Sequence, residues 1–150
     1  MELARPARSG PLTGALSFFR RLLGKRPPPL AGVPRVRRLK TYSAESGYVY
    51  QYHYQGRRPA VREHLPGIEY VFEVSADRRN YRPVSVFLGD HALAGWQSRH
   101  RALIDTERYA VAKMALFQAF DERENPSLLR HEIRVRDADV DLLLERLNID

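Results

Sequence analysis

Apolar and polar residues alternate in three stretches in the middle of the chain, and this alternation predicts β-strands. The first stretch places tyrosine at every second position, at Tyr48, Tyr50, Tyr52 and Tyr54. The second stretch covers residues 68–75 and the third covers residues 84–88. Successive side chains of a strand point to opposite faces, so the pattern is typical of strands with one buried face. We expect a loop containing Pro59 and Pro66 after the first strand and a hairpin connection at residues 77–82 after the second.

In the second half of the chain, apolar residues recur every three or four positions, which is typical of helices. A short helix begins near Asp90 and carries Leu93 and Trp96 on its buried side, and a longer helix runs from Asp105 or Thr106 to about Arg123. A short strand and a last helix follow, with their apolar positions at Ile133, Val135, Val140, Leu143, Leu144 and Leu147. The predicted N-caps are Asp90 for the first helix, Asp105 or Thr106 for the second, and Asp137 or Asp139 for the last.

The predicted element order is βββααβα, and strands that follow each other without a helix favour antiparallel pairing. We therefore predict an α+β fold, a small antiparallel sheet of about four strands with helices packed on one face. The tyrosine row of the first strand is expected to face the core, because the opposite face carries Gln51, His53 and Gln55, which would need partners if buried. The alternative, an exposed platform on which nucleic-acid bases stack, requires a strand exposed on both faces.

Charge divides the chain into two parts. Residues 1–40 hold ten Lys and Arg and one acid, a net charge of +9, whereas residues 41–150 carry a net charge of −2. Six of the ten prolines lie in the first 34 residues. We predict a basic, Pro-rich extension over residues 1–33 and a single α+β domain over residues 34–150. The chain has no cysteine, which excludes a disulfide framework and a thiol nucleophile.

Residues 12–25 of the extension are predicted to form an amphipathic helix with one apolar arc. Such helices lie in a membrane surface and gain binding energy from anionic lipid. The candidate membrane-surface residues are Leu16, Phe18, Phe19, Arg20, Arg21, Leu22, Leu23 and Lys25. The same composition suits a mitochondrial transit peptide, a disordered tail, or a helix that folds back onto its own domain. No run of 18 apolar residues is present, so no segment is predicted to span a bilayer as a helix.

Two clusters of basic residues are candidate anion-binding sites, because guanidinium and ammonium groups recognise phosphate. The candidates are Arg35, Arg37, Arg38 and Lys40 beside the extension, and Arg78, Arg79 and Arg82 at the predicted hairpin. Together they support an alternative function, nucleic-acid binding, which the near-neutral charge of residues 41–150 disfavours.

No motif predicts catalysis, a metal or a cofactor. Asp137, Asp139 and Asp141 resemble the start of a calcium loop, but Leu142 and Asn148 stand where that loop needs Gly and Glu. His53, with Glu69 or Glu73 on a neighbouring strand, is the only pair suited to acid–base work. We therefore expect a non-enzymatic interaction module without a cofactor, cytoplasmic or attached peripherally to a membrane, and mitochondrial if the extension is a transit peptide. Its expected partners are another protein and an anionic lipid surface, with nucleic acid as the alternative.

Overall fold

The computed structural model describes residues 26–150, and within them it contains five strands and three α-helices. The strands are β1 (Lys40–Ser43), β2 (Val49–Arg62), β3 (Leu65–Ser75), β4 (Arg82–Gly89) and β5 (Glu132–Arg134). The helices are α1 (Asp90–Arg99), α2 (Asp105–Glu122) and α3 (Asp137–Arg146), and a 3₁₀ turn covers Pro126–Leu128. The predicted amphipathic helix over residues 12–25 lies outside the described residues.

The strands form one curled, mostly antiparallel sheet in the order β1-β2-β3-β4-β5. β1 to β4 pair in sequence as antiparallel neighbours, while β5 joins β4 in parallel after the chain has passed through α1 and α2. The predicted α+β class is confirmed. The predicted order βββααβα misses β1, because this four-residue strand has no clear alternation of apolar and polar residues. β1 is connected to α2 by the Tyr42 hydroxyl, which donates a hydrogen bond of 2.8 Å to the Asp121 carboxylate.

The predicted loop around Pro59 and Pro66 is wrong, because both prolines lie inside strands. β2 and β3 form one long hairpin whose turn is Glu63 and His64, with φ of 52° and 66°. Two residues with positive φ make the tight turn that matches strand twist, although Asn-Gly is its usual sequence. Pro59 lies beyond the end of β1, where the described residues add no strand beside β2, so a missing N–H is tolerated there.

The core lies between one face of the sheet and the three described helices. Tyr50 and Tyr52 are 0% and 4% exposed, so the prediction that the tyrosine row faces the core is confirmed for them. The Tyr50 ring stacks on Phe120 of α2, with ring centroids 4.1 Å apart. Trp96 of α1 is buried beside Leu93, as predicted. Aromatic rings therefore join β2 to α2, and the sheet's inner face is covered.

The acidic residues at the helix starts do not act as N-caps, which corrects that prediction. The N-cap positions belong to Gly89, Ile104 and Arg136, and an aspartate follows each as the first helical residue. There the carboxylates stabilise the helices through their dipoles, and Asp137 Oδ1 also accepts a hydrogen bond of 2.9 Å from the Ala138 amide. None of the helices described in residues 26–150 is both long and apolar enough to cross a bilayer.

Candidate functional site: a basic pocket at the edge of the sheet

Residues 32–39, called the edge loop below, run along the exposed edge of β2 and are attached at both ends. At one end Ala31 and Arg57 exchange two backbone hydrogen bonds of 2.7 and 2.9 Å. At the other end Lys40 begins β1 and pairs with Tyr52. The edge of β2 between Tyr52 and Arg57 is therefore bridged by a loop and not by a neighbouring strand.

Gly56 allows the chain to approach β2 this closely. Its φ is +139°, and a Cβ built there would lie 2.8 Å from the Ala31 carbonyl oxygen and 3.0 Å from the Leu30 Cβ. A β-bulge falls at the same place, since the register of β2 against β3 shifts between Tyr54 and Gly56. The bulge changes which face the following residues occupy, so Arg57 pairs with the inward-facing Tyr70.

A cavity of about 510 Å³, called the edge pocket below, lies between the edge loop, β2 and the first turns of α2. Four cationic side chains line it, Arg35, Arg38, Lys40 and Arg57, against one carboxylate, Asp105. Arg57 and Asp105 form an ion pair of 3.6 Å. Arg35, Arg38 and Lys40 form no ion pair with an acid in residues 26–150. The electrostatics of the edge pocket therefore favour an anion.

Three tyrosines supply the aromatic surface of the edge pocket: Tyr52, Tyr54 and Tyr109. The Tyr54 and Tyr109 ring centroids are 4.8 Å apart and the rings are tilted by 54°. Burial raises the pKa of Tyr52 to about 12, so this hydroxyl is neutral near pH 7. The Tyr54 hydroxyl is buried and has no hydrogen-bond partner among residues 26–150.

Lys113 of α2 adds a fifth cation close to these rings. Its ammonium lies 6.0 Å from the Tyr52 ring centroid and 5.7 Å from the Phe117 ring centroid, within cation–π range. Burial, followed by the nearby positive charge of Lys40, lowers the pKa of Lys113. Two neighbouring amines without a carboxylate between them destabilise each other's charged form, and a bound anion would relieve this.

Comparisons with models of known protein families, with curated proteins and with solved structures give no match.

The predicted anion-binding residues are divided among several places in the structure. Arg35, Arg38 and Lys40 line the edge pocket, whereas Arg37 lines a smaller cavity of about 340 Å³ that also contacts His53 and Glu73. Arg78 and Arg79 are exposed at the β3–β4 connection. The Arg82 guanidinium donates hydrogen bonds to the carbonyls of Leu129 at 2.6 Å and Pro126 at 3.4 Å. Arg82 also lines a cavity of about 440 Å³ with Tyr48, Tyr50 and Tyr81, but it is the single cation of that lining. Among the cavities of residues 26–150, the edge pocket is therefore the one that gathers three of the predicted cations beside aromatic rings.

His53 and the two glutamates considered with it lie on the outer face of the sheet. His53 pairs across the strands with Glu73 but is only 5% exposed, so it is not the solvated histidine that the alternation predicts. Its Nδ1 lies 2.8 Å from the Gln55 amide nitrogen. Burial, followed by the charge of Arg37, lowers the pKa of His53. Glu69 is occupied by Arg58 at 2.8 Å, so this pair holds the sheet face together.

The edge pocket also contains residues that the sequence did not indicate as binding residues: Arg57, Asp105, Thr106 and Tyr109. Arg57 lies after the bulge of β2, and the shift in register there places it opposite the inward-facing Tyr70. Tyr109 and the neighbouring Lys113 are four residues apart on α2, so they lie on one side of the helix, next to each other. The sequence shows this spacing, but it does not show that Tyr109 and Lys113 lie close to residues 35–40.

Proposed function

We propose that this protein is a non-catalytic binding module and that the edge pocket takes an anionic ligand. The observation that carries the proposal is the convergence of Arg35, Arg38 and Lys40, which have no acidic partner in residues 26–150, beside three tyrosines. Surface arginines and lysines without a function usually lie in a solvated field of mixed charge, whereas a concave, partly aromatic site with one sign of charge is typical of ligand binding.

Titration with sodium pyrophosphate, followed by thermal unfolding at constant ionic strength adjusted with sodium chloride, tests this proposal. A ligand that binds the folded state raises the midpoint of unfolding with its concentration. The double variant Arg38→Gln/Lys40→Gln should lower pyrophosphate affinity at least about tenfold, because each charge-assisted contact contributes roughly 1.5–3 kcal/mol.

The matched control is Arg78→Gln/Arg79→Gln, which removes the same net charge from exposed positions outside the edge pocket. The control should bind pyrophosphate like the wild type. Equal losses in the two double variants would mean that overall charge, and not the edge pocket, attracts the anion. No stabilisation of the wild type by pyrophosphate would refute the proposal.

The membrane-surface interpretation of residues 12–25 stays a separate prediction, since these residues lie outside the described part of the chain. It is compatible with a ligand-binding domain next to a membrane. Nucleic-acid binding is the alternative use of the same cations. That alternative requires Arg78, Arg79 and Arg82 to bind the nucleic acid as well. The Arg82 guanidinium already donates hydrogen bonds to two backbone carbonyls, which disfavours this alternative.

A further inference from the structure

The charge of the edge pocket indicates how highly charged its ligand is. The four cations of the lining exceed its single carboxylate by three, and Lys113 lies close by. A monoanionic carboxylate would leave most of this positive charge uncompensated. A phosphate monoester, which carries nearly two negative charges at neutral pH and three acceptor oxygens, fits this set of donors better.

The start of α2 adds backbone N–H groups as further hydrogen-bond donors. Asp105 and Thr106, the first two residues of the helix, both line the edge pocket. The first intrahelical hydrogen bonds are donated by Glu107 and Arg108, which both reach the Ile104 carbonyl. The amides of Asp105 and Thr106 therefore precede the hydrogen-bonded part of the helix, at its positive end, next to Arg57.

The remaining wall indicates that the ligand has a flat, apolar body. Tyr54 and Tyr109 present two rings, and the side chain of Val36, which is 67% exposed, lies on the opposite wall in the edge loop. A volume of about 510 Å³ lies within the range of small-molecule sites, roughly 300–1,000 Å³, and suits one ring with its phosphate. A nucleic-acid strand instead needs a long groove that tracks its backbone.

We infer that the edge pocket binds a small phosphate monoester with an aromatic ring, the phosphate held by the cations and the start of α2 and the ring placed against Tyr54 and Tyr109. This inference rests on the proposed anion-binding function. It goes further, because it distinguishes the ligand from inorganic anions, from aromatic carboxylates and from nucleic-acid strands.

Isothermal titration of the full chain with phenyl phosphate, inorganic phosphate, benzoate and hexyl phosphate tests the inference. Phenyl phosphate should bind at least about tenfold more tightly than each of the other three, since ring stacking and charge both contribute. Val36→Ser, at an exposed position that leaves the core intact, should reduce that preference. Arg38→Gln/Lys40→Gln should weaken phenyl phosphate and inorganic phosphate together.

The outcomes separate this inference from the proposed function. If pyrophosphate binds but phenyl phosphate binds no better than inorganic phosphate, the aromatic part is wrong and the anion-binding function stands. If benzoate binds as tightly as phenyl phosphate, the inference that the pocket recognises a phosphate is wrong. If hexyl phosphate binds as tightly, the inference that it recognises an aromatic ring is wrong. If a 20-nucleotide oligothymidine displaces phenyl phosphate and binds more tightly through Arg38 and Lys40, the ligand is a nucleic-acid strand and the inference fails. If none of the anions binds, both proposals fail.

Discussion

Substituting Gly56 by alanine tests whether the edge loop depends on a residue without a side chain. The new Cβ would lie 2.8 Å from the Ala31 carbonyl oxygen and 3.2 Å from a Val33 methyl group. The Ala31 carbonyl oxygen is a backbone atom, so side-chain rotation cannot relieve that contact. The φ of +139° is also one that residues with a Cβ rarely adopt. We expect the chain around Ala31 to move off β2.

The change in the free energy of unfolding of Gly56→Ala is the sum of two costs, reduced by one gain. Holding a residue with a Cβ in such a conformation costs about 1–3 kcal/mol. Losing the two hydrogen bonds between Ala31 and Arg57 costs about 0.5–1.5 kcal/mol each. The reduced freedom of the unfolded chain offsets roughly 0.4–1 kcal/mol of this cost, so Gly56→Ala should destabilise the protein by about 3 kcal/mol, within a range of about 1–6 kcal/mol. Since the edge loop forms one wall of the edge pocket, affinity for pyrophosphate should fall as well.

Urea unfolding of the variant measures this loss, and Gly95→Ala is its control. Gly95 lies in α1, and a Cβ there would meet nothing within 4 Å. Alanine is the better helix former, so the control should gain about 0.5–1 kcal/mol and keep its pyrophosphate affinity. If Gly56→Ala were as stable as the wild type and bound pyrophosphate equally well, the account of the edge loop would be wrong.

Three further predictions concern other parts of the chain. Because the pKa of His53 is lowered in the folded state, the unfolded state binds the extra proton, and stability should fall as pH drops below about 6.5, by at most about 1.4 kcal/mol per pH unit. His53→Gln should reduce this slope in urea titrations, and an unchanged slope would contradict the role given to His53. Trp96→Ala should lose about 3–5 kcal/mol, and unchanged stability would contradict its place in the core. Phe18→Asp/Phe19→Asp should abolish co-sedimentation of the full chain with anionic vesicles, and unchanged sedimentation would end the membrane-surface interpretation.

The periodicity of apolar residues predicted the long helices and strands well, but it failed for the short strand β1 and for the part of β2 that contains proline. The stripes of α2 and α3 and the alternation of β3 and β4 each span enough residues to identify the element and its buried face. β1 is too short for such a pattern. Pro59 predicts a loop, because the sequence does not show that this part of β2 lies beyond the end of β1. The turn at Glu63 and His64 lacks the residues that usually mark it.

The candidate site was predictable only in part, because it is made by contacts between distant segments. Composition identified Arg35, Arg38 and Lys40 as anion candidates from local density of charge. The aromatic half of the pocket depends on the bulge beside Gly56 and on the packing of α2 against the sheet, and neither follows from local pattern. The alternation predicts that the tyrosines face the core. Tyr54 belongs to the core and to the edge pocket, because it packs on Phe72 and also lines the pocket.

The position of β5 has a consequence for synthesis on the ribosome. Strands β1 to β4 are complete once Gly89 has emerged, but the side chains that cover them, among them Val111, Phe120 and Leu144, come later in the chain. The nascent sheet therefore carries an uncovered apolar face and an unpaired β4 edge until nearly the whole chain has left the exit tunnel, and this interval is when aggregation or chaperone capture competes with folding. A message truncated before α2 would yield a chain that lacks these side chains and β5, and this chain would remain in that state.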